Sequence, residues 1–197
     1  NPSGAVYSRD ELAALAAVAV ENGVYVLSDE IYEKLVYGET KHVSIAQISE
    51  ELQALTVICH GFAKAYSMTG WRLGYTAAPP ELAAAISKIQ SHTSSNATSF
   101  AQYGALAALQ GSQSFVEDMR NEYDVRRQFV HGRLSAIPNV SVNLPDGAFY
   151  FFVNCADLGL KSQNLCDKLL NRYKVATVPG VAFGHDASVR LSYCTTL

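Results

Sequence analysis

Short apolar runs at Val24-Tyr25-Val26-Leu27-Ser28 and at Leu55 to Cys59 constrain this chain more than any other feature. Unbroken apolar runs of that length are what strands buried on both faces look like. A helical pattern precedes the first run. Ser8 and Glu11 make a capping box, Ala, Leu and Val recur at helical spacing to Glu21, and Gly23 supplies the stop. A third apolar run, Leu73 to Ala78, follows the other two. Strands interleaved with helices in this way predict an α/β fold around a mostly parallel sheet.

The character changes at Pro79-Pro80. The spacing predicts helices over 81 to 92 and 99 to 110, with the polar stretch Thr93 to Thr98 between them. Ser114 and Glu117 read as a second capping box opening a long charged helix toward Ser135. Strands are expected at Val140 to Leu144 and Ala148 to Val153, joined by the turn Pro145-Asp146-Gly147. A helix over Gln163 to Tyr173 and strands at Val175 to Val178 and Val189 to Tyr193 complete an α+β unit. Residues 1–95 therefore read as part of a large domain. Residues 96–197 read as connecting helices and a small C-terminal domain truncated at its end. The opening turn Asn1-Pro2-Ser3-Gly4 has no initiator Met, and the last strand pattern stops close to the end, so both ends read as cut from a longer chain.

Composition narrows the partners. Only 17% of the 197 residues are charged and the net charge is -3, which leaves no basic footprint for nucleic acid. No apolar run approaches the roughly 18 residues of a membrane span, and no signal segment opens the chain. The four cysteines, Cys59, Cys155, Cys166 and Cys194, lie far apart beside apolar runs and read as reduced core residues of a cytoplasmic protein. The histidines form no pair at ligand spacing, so no metal site is expected.

The stretch Gly61 to Tyr75 carries the chemistry. Lys64 lies just beyond a strand, and Arg72 stands at the start of the next. A lysine traps carbonyl carbon when its free amine is populated, and an arginine grips phosphate as a forked, permanent cation. Each alone reads more simply as a loop lysine and a surface ion-pair partner. Asp29 ends another strand, at the edge where open α/β sheets place ligands, and Tyr32 follows three residues later. A carboxylate there can keep a pyridine nitrogen protonated, and a tyrosine can donate to a ring oxygen. Alone, the pair reads as an acidic turn with a packing tyrosine. Arg190 sits inside a strand pattern, where a guanidinium needs an anionic partner and a substrate carboxylate fits its fork. An edge-strand arginine facing solvent is the simpler alternative. No GxGxxG, phosphate-loop or GxSxG pattern is present.

In order, NPSG, SDEIYE, AKAYSMTGWRLGY, DGAFYFF, VPGVAFG and VRLSYCT resemble the class I, aspartate aminotransferase-like family of pyridoxal-phosphate enzymes over essentially the whole chain. The resemblance implies part of a fold-type I transferase. It also implies an aminotransferase moving an amino group between an amino acid, aspartate first, and a 2-oxo acid such as 2-oxoglutarate. By the same resemblance Lys64 holds pyridoxal 5'-phosphate as a Schiff base and shuttles the substrate proton. Asp29 pairs with the ring nitrogen, Tyr32 and Asn1 with the ring oxygen, Arg72 with the phosphate, and Arg190 and Asn1 with the substrate. It further implies a homodimer for the full-length form and a cis Asn1-Pro2 bond, which the sequence permits.

Two positions depart from the family. Serines often stand three residues and one residue before the lysine, and here those positions are Gly61 and Ala63. The family's earlier half supplies a phosphate-binding turn, a ring that stacks on the cofactor and side-chain recognition. None of these is expected here, so the chain alone is expected to be inactive. A carbon-sulfur lyase, an aromatic or prephenate aminotransferase, a ligand-sensing domain of a transcription regulator and a noncatalytic scaffold are the competing readings.

Overall fold

The computed structural model describes residues 1–195. The first helix, α1 (Arg9–Glu21), starts as its capping box dictates. Ser8 Oγ accepts the Glu11 N–H, and the Glu11 carboxylate accepts the Ser8 N–H at 2.8 Å. Leu12, Ala16 and Ala19 fall on one face of α1 and pack with Ile45 and with Leu52 of α2 (Glu50–Gln53). Val26 of β1 (Val26–Asp29) packs against this cluster.

β1 pairs in parallel with β2 (Thr56–Gly61), from Val26 opposite Thr56 to Asp29 opposite Cys59. β2 then pairs antiparallel with β3 (Gly74–Ala77), from Ile58 opposite Ala77 to Gly61 opposite Gly74. The expected all-apolar burial of the first strand is not what the structure shows. In this 197-residue chain Val26 is half-buried against the cluster of Leu12, Ala16, Ala19, Ile45 and Leu52, whereas Tyr25 and Leu27 are exposed. Helices α3 (Pro80–Thr93) and α4 (Ser99–Gln110) follow with the polar break between them.

The long helix α5 (Ser114–Ser135) already includes Ser114, whose N–H is accepted by Ser112 Oγ at 3.2 Å. Ser114 is thus a first-turn residue rather than a cap. The expected strand at Val140 to Leu144 reduces to one bridge, Ser141 with Asn154. A second three-stranded sheet has the order β4-β6-β5, built from β4 (Tyr150–Asn154), β5 (Val178–Pro179) and β6 (Ser188–Ser192), all antiparallel. Helix α6 (Ser162–Tyr173) lies between β4 and β5 in sequence. Phe151 is fully buried, with Val153, Val189 and Tyr193 almost so, and the rings of Phe151 and Tyr193 lie 5.1 Å apart.

Two compact units emerge from the contacts. The first holds Tyr7–Leu35 and Lys41–Glu117, and with it the β1-β2-β3 sheet. The second holds Asn1–Val6, Val36–Thr40 and the chain from Asp118 onward, with the β4-β6-β5 sheet. The division lies within α5, downstream of residue 95, and two short segments from earlier in the chain join the later unit. They do so by backbone pairing: Val36 bridges Gly147, Tyr37 N–H donates to Asp146 O at 2.9 Å, and Gly147 N–H donates to Gly4 O at 2.8 Å. In the same unit the hydroxyls of Tyr37 and Tyr193 both donate to Ala148 O. Buried Arg127 donates to Pro145 O at 2.7 Å and pairs with Asp124. Cys155 and Cys166 are buried and Cys59 is half-buried, while Cys194 is exposed rather than a core residue.

Candidate active site

The register of the first sheet fixes which residues share an edge. β1 and β2 are parallel, so their C-terminal ends lie at the same side of the sheet, and β3, being antiparallel to β2, begins there. Asp29 is the last residue of β1, Lys64 comes three residues after β2 ends, and Arg72 two residues before β3 starts. Three of the residues singled out from sequence are therefore delivered to one sheet edge by strand direction alone. The facing glycines permit this close pairing. A Cβ on Gly74 would meet His60 O at 2.8 Å, and one on Gly61 would meet Gly74 Cα at 3.1 Å.

Between β2 and β3 the chain folds back on a small core of Phe62, Met68 and Ala105, with Leu73 and Tyr66 packed against it. Ser67 and Arg72 both have φ 53°, a left-handed conformation uncommon outside glycine, so tertiary contacts must hold the loop in shape. Met68 N–H donates to Phe62 O at 3.2 Å, and Arg72 Nη1 donates to Thr69 O at 2.9 Å. Trp71 packs against Gly104, where a side chain would collide with the indole. Lys64 is half-buried, and its Nζ lies 5.8 Å from the centroid of the Tyr32 ring. Asp29 is exposed and accepts the Ile31 N–H at 3.2 Å.

The turn after Asp29 is anchored by two carboxylates that sequence reasoning did not single out. Glu30 is buried, yet its carboxylate accepts from Ser44 Oγ at 2.9 Å and Ser28 Oγ at 3.1 Å and meets His42 Nε2 at 3.0 Å. Burial alone would raise its pKa; the His42 and Ser44 contacts outweigh that and hold it below the ordinary carboxylate value. Glu33 Oε1 lies 3.2 Å from His60 Nε2, an ion pair rather than a well-aligned hydrogen bond. Contact with His60 lowers the Glu33 carboxyl to about 2, and the Glu33 carboxylate raises His60. His60 lies in β2 and stacks on Tyr75 of β3 at 5.2 Å, so the pair ties the Tyr32 segment to the strand leading to Lys64. No local motif marks such a link, since it depends on the register of parallel strands.

Asn1 and Arg190 belong to the second unit. The Asn1-Pro2 bond is cis, and Arg190 Nη1 donates to Asn1 Oδ1 at 2.7 Å. Arg190 is half-buried, and this partner is a neutral amide oxygen rather than an anion. Among the described residues no group of His, Cys, Asp and Glu is arranged to hold a metal ion, and no helix is long and apolar enough to cross a membrane.

Residues 1–197 match the family model described as aminotransferase class I and II. The chain is 46% identical to an aspartate aminotransferase of Geobacillus stearothermophilus over 202 residues, which is 100% of this chain and 51% of that protein. A probable aspartate/prephenate aminotransferase of Aquifex aeolicus is also 46% identical, over 98% of this chain and 50% of its own length. Among solved structures, an aspartate aminotransferase from Rhizobium meliloti aligns with a TM-score of 0.95 at 36% identity, covering 100% of this chain and 52% of that one. An aspartate aminotransferase from Thermus thermophilus with maleate aligns with a TM-score of 0.93 at 38% identity, covering 100% of this chain and 50% of the other. The chain spans about half the length of the curated relatives it matches.

Proposed function

The chain belongs to the class I and II aminotransferase family, and on that premise we propose that the complete protein moves an amino group between an amino acid and a 2-oxo acid. Aspartate and 2-oxoglutarate are the substrates we propose. The observation that carries the reading is the single sheet edge to which the strand register delivers Asp29, Lys64 and Arg72, with the Tyr32 ring beside the lysine.

These residues suit pyridoxal 5'-phosphate by their chemistry. The Lys64 amine answers a carbonyl carbon, the exposed Asp29 carboxylate a protonated ring nitrogen, and Tyr32 a ring oxygen. Arg72 uses one Nη1–H on Thr69 O, and its guanidinium has five donors to share, so it can also grip a phosphate. When bound, the cofactor supplies the electron sink that lets a substrate Cα–H bond break. Lys64 then has two tasks: it holds the cofactor, and it moves the proton at substrate Cα as base and acid. Asp29 keeps the ring nitrogen protonated. Ser at the positions of Gly61 and Ala63 would offer further phosphate donors, so the phosphate grip rests on Arg72 and backbone N–H groups. In the second unit Arg190, held by Asn1, would take the substrate α-carboxylate through its planar fork. The family resemblance supports a cytoplasmic homodimer for the complete protein, which sedimentation of that protein checks.

Borohydride reduction of the complete, cofactor-loaded protein tests the assignment. The label is expected on the peptide containing Lys64, and recovery on Lys88 or another lysine would overturn it. A coupled assay comparing aspartate with aromatic amino acids and prephenate as partners tests the substrate. Prephenate is included because the Aquifex aeolicus relative at 46% identity is a probable aspartate/prephenate aminotransferase.

A further inference from the structure

Arg190 occupies the central strand of the β4-β6-β5 sheet, paired with Phe152 on one side and Val178 on the other. Antiparallel pairing puts Arg190, Phe152 and Tyr150 on one face, and Phe151, Val153 and Val189 on the opposite, core face. An arginine on a strand has a long stem with many rotamers, so a guanidinium aimed at a ligand must be held by its surroundings. Asn1 Oδ1 accepts from its Nη1 at 2.7 Å. Rings add to the hold: Arg190 Cζ lies 4.4 Å from the Tyr150 centroid and 5.0 Å from that of Phe183.

Phe183 ends the single helical turn Gly180–Phe183 and is half-buried. Its ring meets Phe152 edge to face, with centroids 5.9 Å apart at 88°. The aromatic that touches the guanidinium is itself braced by the residue directly opposite Arg190 in the sheet. Contact with a π-face steadies a guanidinium through its flat surface and consumes none of its N–H donors. The donors in the plane stay available for a forked pair of hydrogen bonds to a carboxylate.

We propose that Phe183 and Tyr150 are positioning residues that set the affinity for the substrate carboxylate by holding the Arg190 guanidinium in place. This rests on the reading of Arg190 as the carboxylate site. Ordering the arginine before the ligand arrives removes part of the entropy that binding would otherwise cost. The role is specific to an aromatic ring, since an aliphatic side chain of similar bulk fills the space without attracting the cation.

The test uses the complete, cofactor-loaded protein with Phe183→Leu and Phe183→Tyr, read by steady-state kinetics and by calorimetric binding of maleate as an unreactive dicarboxylate. Phe183→Leu is expected to raise KM for amino and oxo acid, and Kd for maleate, about 5- to 20-fold, with kcat within about 2-fold. Phe183→Tyr, which keeps the ring, is expected to stay within about 2-fold of the unaltered protein on every measure. Unchanged KM and Kd in Phe183→Leu would overturn the proposal, as would equal losses in the two variants. A fall in kcat at constant KM would also overturn it. Should the leucine variant melt early, Phe183→Met repeats the measurement with a more adaptable side chain. Failure of the unaltered protein to transaminate, or wild-type KM in Arg190→Leu, sinks the functional reading itself and is thereby distinct from failure of the ring contact.

Discussion

In the β4-β6-β5 sheet Phe151 is fully buried and Val153 and Val189 nearly so, whereas in the β1-β2-β3 sheet Leu27 stands 73% exposed and every residue of β3 is exposed. The second sheet uses its faces. One side makes a core, and the other lines up Tyr150 and Phe152 with Arg190. The first sheet packs Val26 on the Leu12, Ile45 and Leu52 cluster, and gathers its reactive groups at one edge, where Asp29, Lys64 and Arg72 collect. Chemistry at a strand end depends on strand direction, while chemistry on a strand face depends on alternation.

The largest expected effect separates the two sheets by activity. Lys64→Ala in the complete protein is expected to lower kcat about 10³-fold or more, because both holding the cofactor and moving the Cα proton fall to one amine. Its thermal midpoint without cofactor is expected to stay close to that of the unaltered protein, since Lys64 is only half-buried in its loop. Stopped-flow or coupled assays beside a melting curve decide the matter. Residual turnover of more than a few per cent would move the reactive group elsewhere.

Core stability should show the reverse pattern. Phe151 is 0% exposed and its ring contacts Tyr193 and His131, so Phe151→Ala is expected to destabilise the chain by about 3–5 kcal/mol through lost burial and a residual cavity. Urea unfolding checks this. A change below about 1 kcal/mol would mean that the second sheet lacks the packed core assigned to it.

What was legible in sequence was local or directional. The Ser8–Glu11 capping box acts over three residues and forms as expected. Asp29 and Lys64 could be placed together because each stands at or just beyond the end of a strand in a parallel pair, whereas Arg72 joins them only because β3 runs antiparallel to β2, a direction the expected mostly parallel sheet did not supply. Features that depend on a distant partner were not legible. Ser141 pairs with Asn154 while its neighbours run free of the ladder, so the apolar pattern at Val140 to Leu144 overstated the strand. The expected strand at Val175 to Val178 contracts to Val178–Pro179, at a sheet edge where proline's missing N–H is tolerated. The buried network of Glu30 with Ser28, His42 and Ser44 joins residues that no spacing rule connects.

The Glu33–His60 pair offers a smaller effect with a defined pH window. Glu33 is lowered from its ordinary 4.5 to about 2, so its contribution is complete above about 4.5 and is lost as pH falls toward 2. His60 is raised above its ordinary 6.5, so its contribution is complete below that value and is lost as pH rises through the raised one. Burial of the imidazole opposes its protonation, and the facing Glu33 carboxylate outweighs that. Comparing melting of the unaltered chain with Glu33→Gln, the gap should be widest between pH 4.5 and 6.5. A gap that keeps growing above pH 8 would contradict the pairing.

The smallest expected effect is the one that tests the comparison most directly. Leu27 lies between Val26 and Ser28 in a strand whose apolar run predicts burial, yet three quarters of its surface meets solvent in this chain. Burial of apolar surface contributes only where water is displaced, so truncating a side chain already in water removes little. Leu27→Ser in the 197-residue chain is therefore expected to change unfolding free energy by less than about 0.5 kcal/mol, the range of exposed substitutions. Val26→Ser, one residue away but packed on the cluster of Leu12, Ala16, Ala19, Ile45 and Leu52, should cost distinctly more, since it removes apolar contact and places a hydroxyl against that apolar cluster. Both substitutions bear on the same strand and a similar backbone, so strand propensity largely cancels between them. Parallel urea titrations of the two variants give the comparison. If Leu27→Ser cost as much as Val26→Ser, both faces of β1 would be covered in solution, and the contrast between the two sheets would fail.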